Sequence, residues 1–101
     1  MGFTQIVFRN TAHSSTIGER IREMSRALGE RYSRIQRCRV VVEELQAPGA
    51  ARDFKVTAEV RVAERMLSAS SQGANIDAVL QGVFADLREK LLAISTHSWA
   101  A

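Results

Sequence analysis

The chain has 101 residues, 46% of them hydrophobic and 25% charged, with a formal net charge of +3 and a single cysteine, Cys38. Such a length supports one hydrophobic core, burying about 60 to 65 per cent of the unfolded surface, and the composition excludes wholesale disorder and low-complexity sequence. One cysteine excludes an internal disulfide and a cysteine metal cluster, and no apolar run reaches the roughly 20 residues that span a bilayer, so a cytoplasmic, reducing compartment is expected. The opening residues MGFTQIVFRN lack the basic and apolar regions of an export signal.

In chain order, residues 5–10 alternate Ile6 and Phe8 against Val7 and Arg9, which predicts a strand. Ser14, Ser15 and Thr16 are candidate helix caps, and Thr16 with Glu19 has the spacing of a capping box. Ile17, Ile21, Met24, Leu28 and Tyr32 then recur at three- and four-residue steps, which predicts a helix with one apolar stripe.

After Tyr32 the period falls to two. Cys38, Val40 and Val42 share one face of a predicted strand, with Arg37, Arg39, Val41 and Glu43 on the other. QAPGAARD, residues 46–53, holds the only proline and reads as a loop. Phe54, Val56, Ala58, Val60 and Val62 alternate with Lys55, Thr57, Glu59 and Arg61, a strand with one dry face and one wet face.

Residues 66–70 predict a shorter strand with Leu67 and Ala69 inward, and residues 71–73 a turn. Asn75 caps a second helix with Asp77 in its first turn, and Ile76, Leu80, Val83, Phe84, Leu87 and Leu91 carry it to about Ile94. Residues 1–95 are therefore expected to form one domain and residues 96–101 a flexible tail. Two single-stripe helices and single-faced strands fit together as an α+β, β-α-β-β-β-α sandwich, both helices on one face of a four-stranded sheet and the other face wet.

Catalytic chemistry has little to stand on. His13 and His97 lie near opposite ends with no acidic or cysteine partner at ligand spacing, so no metal or other cofactor is expected. Cys38 lies on the dry side of its strand, where a thiol behaves as a small hydrophobe. Glu43 and Glu44 are consecutive on a strand and point to opposite faces, and no phosphate-cradling glycine loop is present. A non-enzymatic binding protein is expected, with no small-molecule substrate and no membrane partner.

The charge is unevenly placed. Up to Arg39 there are eight basic residues against three acidic ones; the remainder has six basic and eight acidic. Twelve of the fourteen basic residues are arginine, whose planar fork suits phosphate oxygens. The run RYSRIQRCRVVVE, residues 31–43, is thus either an electropositive edge for a polyanion or the solvated rim of a buried strand. Phe54, Phe84 and Tyr32 all fall on core-facing positions, so contact with RNA would rest on backbone and shape rather than base stacking.

The strand IVFRN, the capped helix starting at SSTIGERIREM, the run RYSRIQRCRVVVE, and the A-x-S stretch at residues 69–71 ahead of NIDAVLQGVFADLREKL together resemble the ribosome hibernation-promoting and ribosome-associated inhibitor family, in its short form. The resemblance covers roughly residues 5–92. It implies a fold similar to double-stranded-RNA-binding domains and a ribosome-associated, stress-response role: binding small-subunit ribosomal RNA and regulating translation by silencing idle ribosomes. The RNA-contacting candidates under that resemblance are Arg20, Arg31, Arg34, Arg37, Arg39 and Lys90.

The pattern departs from the family where a basic groove between the helices is expected. Met24, Ala27 and Glu30 in the first helix and Asp86 and Glu89 in the second stand at positions that the family fills with Lys or Arg, and Asp77 replaces a frequent tyrosine. The alternative is therefore a diverged protein-interaction module of the same fold with little or no ribosome binding, using the wet sheet face around Arg39, Lys55, Glu59 and Arg61. A homodimer through an edge strand is compatible with either.

Overall fold

Strict alternation in the third strand decides the layering of the molecule: Val56, Ala58 and Val60 are wholly buried and Val62 nearly so, while Thr57 and Glu59 between them are half-buried and Lys55 and Arg61 are exposed. The computed structural model describes the backbone of residues 3–46 and 52–100 and the side chains of residues 4–45 and 52–94. Its elements are β1 (Phe3–Arg9), α1 (Ser15–Arg31), β2 (Ile35–Gln46), β3 (Arg52–Val62), β4 (Arg65–Gly73) and α2 (Ile76–Ala100). The strands form one mixed sheet in the order β1-β2-β3-β4, with β1 parallel to β2 and the other neighbours antiparallel. The α+β sandwich predicted from the periodicities is the fold observed.

Both helices cover the same face, α1 over β1 and β2, α2 over β3 and β4. Register lines up four inward rungs: Thr4, Cys38, Val60 and Leu67; Ile6, Val40, Ala58 and Ala69; Phe8, Val42, Val56 and Ser71; and, at the far end, Glu44, Phe54 and Gly73. Ile21 and Leu28 from α1 and Leu80, Val83, Phe84, Leu87 and Leu91 from α2 close over them. A fully buried aliphatic side chain here stabilises by about 1.5 to 3 kcal/mol relative to exposure.

Local details differ from the sequence expectations in instructive ways. Ser14, not Thr16, caps α1: its side chain accepts from the Ile17 amide at 3.3 Å, so the Thr16 and Glu19 box is not the one used. A bulge between Ile35 and Arg37 places two β2 residues against one of β3. Ile35 therefore joins Cys38 in the core although simple alternation from Cys38 would turn it outward.

β4 runs through Gly73, so residues 71–73 are strand rather than turn. A side chain at Gly73 would come within 3.2 Å of Val79, which is why the strand can pass so close under α2. α2 continues to Ala100, beyond the Ile94 limit of its apolar stripe, because no proline or glycine follows to stop it. Of the predicted loop at residues 46–53, residues 52 and 53 belong to β3 and residues 47–51 lie outside the described residues.

One polar cluster is sealed beneath α1. Ser25 is buried at 1% exposure and its hydroxyl lies 2.7 Å from that of Thr4 on β1. Ser25 also hydrogen-bonds Cys38, and no buried side-chain oxygen or nitrogen among the described residues is left unsatisfied. No described helix is long and apolar enough to cross a membrane.

Candidate nucleic-acid interface

α1 ends by presenting charge. Arg31 occupies its last turn, where a cation complements the helix dipole, and the Tyr32 amide closes the helix onto the Leu28 carbonyl at 2.9 Å. The Ile35 amide then donates to the Tyr32 carbonyl at 3.2 Å, folding the chain back into β2 within three residues. That tight reversal leaves Arg31 and Arg34 exposed at one end of the sandwich, with the Arg31 guanidinium 6.0 Å from the Tyr32 ring centre.

Two depressions meet at Arg31. One, of about 570 Å³, lies between this corner, the β3–β4 hairpin and the later turns of α2, and takes Tyr32, Arg34, Arg65 and Leu91 into its wall. The other, of about 790 Å³, is the groove between the helices, floored by Met24, Leu28 and Phe84 and flanked by Glu30 and Arg88. Together their walls carry four exposed arginines (Arg31, Arg34, Arg65 and Arg88) and two exposed glutamates (Glu30 and Glu64), an excess of two positive charges.

The six arginines and lysines singled out by sequence do not converge. Arg31 and Arg34 share the corner just described. Arg20 pairs with Asp77 at 3.5 Å. Arg37 and Arg39 point from β2 to the helix-free side of the sheet, where Arg39 lies 3.7 Å from Glu59 and Arg37 stands opposite Arg61 in register. Lys90 faces the β4 edge, donating to the Ser68 carbonyl at 2.6 Å and approaching Asp86 at 3.1 Å.

Sequence reasoning missed Arg65 and Arg88. Arg88 follows Phe84 by one helical turn, so its place beside the groove was available from the α2 stripe. Arg65 carried no such signal, because its position depends on how the β3–β4 hairpin tucks against α2.

Chemistry at the remaining reactive groups is muted. Burial pushes the Cys38 thiol up to about 11, against a smaller lowering by its hydrogen bond with Ser25, and the side chain is 1% exposed, so it presents no thiolate. His13 packs edge-on to the Phe8 ring with centres 4.9 Å apart. His97 lies outside the described side chains. Among the described residues no three His, Cys, Asp or Glu side chains gather as metal ligands. The corner around Arg31 sets planar cationic forks beside apolar side chains, a donor geometry that matches phosphate oxygens.

No protein-family model matches the sequence, and no curated protein does either. The fold has solved counterparts. A ribosomal subunit interface protein from Coxiella burnetii superposes with a TM-score of 0.71 at 12% identity, over 92% of this chain and 97% of its own. The N-terminal domain of Protein Y from Thermus thermophilus gives a TM-score of 0.74 at 15% identity, over 90% and 96% respectively. At such identities the likeness is one of fold. It is the fold that the resemblance read from the sequence implies.

Proposed function

We propose that this protein is a non-enzymatic, cytoplasmic, ribosome-associated regulator of translation, which binds the RNA of the small ribosomal subunit by its backbone and holds idle ribosomes inactive under stress. The observation that carries this reading is the pairing of two facts: near full-length likeness to a protein described as a ribosomal subunit interface protein, and an arginine-rich corner where α1, the β3–β4 hairpin and α2 meet. Arg31, Arg34, Arg65 and Arg88 are the proposed phosphate contacts. Arg20 and Lys90 contribute less, because acidic neighbours already compensate them.

A competing reading, a protein-interaction module with little ribosome binding, is favoured by Met24, Ala27 and Glu30 lining the inter-helix groove where cations would serve RNA better. Sedimentation of a lysate from starved cells separates the two. The ribosomal reading expects the protein to travel with ribosomal particles and to leave them as salt is raised. A protein that stays at the top of the gradient even at low salt overturns it.

A further inference from the structure

The helix-free face of the sheet carries charges in a particular order. Register places Val7, Val41, Thr57 and Ser70 in one row across all four strands, and Thr57 and Ser70 hydrogen-bond at 3.3 Å within it. On one side of that row stand Arg39 and Glu59; on the other, Glu43 and Lys55. Further out on the first side are Arg61 and its neighbour Arg37, and at the same distance on the second are Asp53 and its neighbour Leu45. Charge along β3 and β2 therefore reverses sign about the Val41 and Thr57 row.

We propose that this face binds a second copy of the chain, related by a two-fold axis that lies between the two sheets, parallel to them and directly over the row of Val7, Val41, Thr57 and Ser70. The operation lays each row over its mirror position. Arg39 meets the partner's Glu43, Glu59 meets the partner's Lys55, Arg61 faces the partner's Asp53, and Val41 meets the partner's Val41 at the centre. With Arg39 and Glu59 already 3.7 Å apart in one copy, the four central charges alternate in sign around each half of the contact.

Other arrangements fit less well. A two-fold along the strands would also pair Arg39 with a partner carboxylate, that of Glu59, but it sets Arg37 over the partner's Arg61. A polyanion laid on this face would meet Glu43, Glu59 and Asp53 among the arginines, so nucleic acid is the poorer occupant. Strands about 4.8 Å apart and about 3.3 Å of rise per residue make the patch roughly 20 by 26 Å, on the order of 500 Å² per copy. That is on the order of 1,000 Å² in all, the lower bound for a specific complex, so the dimer is concentration-dependent and weakened by salt. Aligned sheets pack face to face in this way with their strands within about 30°.

The surface lies on the layer opposite the helices, so its test stands apart from ribosome binding. Arg39→Glu and Glu43→Arg are made separately, their folding is verified by circular dichroism, and mass is followed by analytical ultracentrifugation without RNA. Wild type is expected to dimerise at high protein concentration and low salt. Each variant alone is expected to be monomeric, because like charges then face each other across the axis. An equal mixture of the two is expected to dimerise, since Glu at 39 in one copy meets Arg at 43 in the other and the remaining pair is native. A wild type that stays monomeric up to millimolar concentration overturns the proposal, as do variants that dimerise unaided or a mixture that stays monomeric while wild type does not.

Discussion

Arg20 on α1 and Asp77 in the first turn of α2 form an ion pair of 3.5 Å that ties the two helices together at the end opposite Arg31. Both side chains are about half exposed, at 48% and 55%, so the pair contributes little to stability, on the order of 0 to 1 kcal/mol. Asp77 also favours the α2 N-terminus, by about 0.3 to 1 kcal/mol. On the proposed ribosomal reading, Asp77 also compensates a cation that would otherwise be open to a polyanion.

Asp77→Asn is therefore expected to lower stability by no more than about 1.5 kcal/mol in urea melts. The same change should strengthen binding to ribosomal RNA fragments and steepen the salt dependence by up to about one unit of slope. Filter binding across a salt series checks this. Unchanged affinity would remove Arg20 from the RNA-facing surface.

Lys90 gives the opposite expectation. Its ammonium is held by the Ser68 carbonyl and by Asp86, and it takes one backbone carbonyl of the edge strand β4. Lys90→Ala should leave the RNA salt slope within experimental error of wild type. Arg88→Ala, only two residues away but beside the inter-helix groove, should reduce the slope by about one unit.

Backbone strain at the β3–β4 hairpin yields a stability prediction. Ala63 sits at φ 54°, in the region that L residues other than Asn and Asp avoid at a cost of about 1 to 2 kcal/mol. Ala63→Gly relieves that strain but adds freedom to the unfolded chain, so the net gain should be on the order of 0.5 to 1 kcal/mol. A higher urea midpoint at unchanged m checks it. Asn10, at φ 56°, needs no such relief, because its side chain tolerates this conformation.

Alkaline stability should report Cys38. Burial raises its thiol from the ordinary 9.0 to about 11, so above pH 9 the folded chain keeps a proton that the unfolded chain has lost. The corresponding stabilisation is complete below about pH 9 and disappears as pH climbs through 11, a loss on the order of 3 kcal/mol. Cys38→Val should show a flatter decline over that interval in urea melts. In the native wild type, a thiol reagent at pH 8 should react only as fast as the protein opens.

How much of this was legible in advance follows from what each signal depends on. Alternation in β2 and β3 and the stripes of both helices identify core and surface directly, because burial enforces them residue by residue: Val40, Val42, Val56, Val60, Leu80 and Leu87 are all wholly buried. The bulge beside Ile35 was invisible, since one inserted residue leaves the apolar pattern on either side intact. Ser25 lies between Ile21 and Leu28 on the α1 stripe, but its pairing with Thr4 requires knowing that α1 crosses β1. The site was less legible than the fold. Arginines close in sequence, such as Arg34, Arg37 and Arg39, divide between the corner and the open face, while Arg31 and Arg65 meet only through tertiary packing.

Binding of purified protein to isolated small ribosomal subunits, measured across a salt series, decides whether the arginine corner holds ribosomal RNA. Wild type is expected to bind with log affinity falling linearly against log salt, with a slope on the order of 3 for four arginine–phosphate contacts. A variant with Arg31, Arg34, Arg65 and Arg88 all changed to Ala should bind far more weakly and lose most of that slope. Absence of binding at the lowest salt, or a slope that survives removal of those four arginines, would rule out RNA contact at this corner.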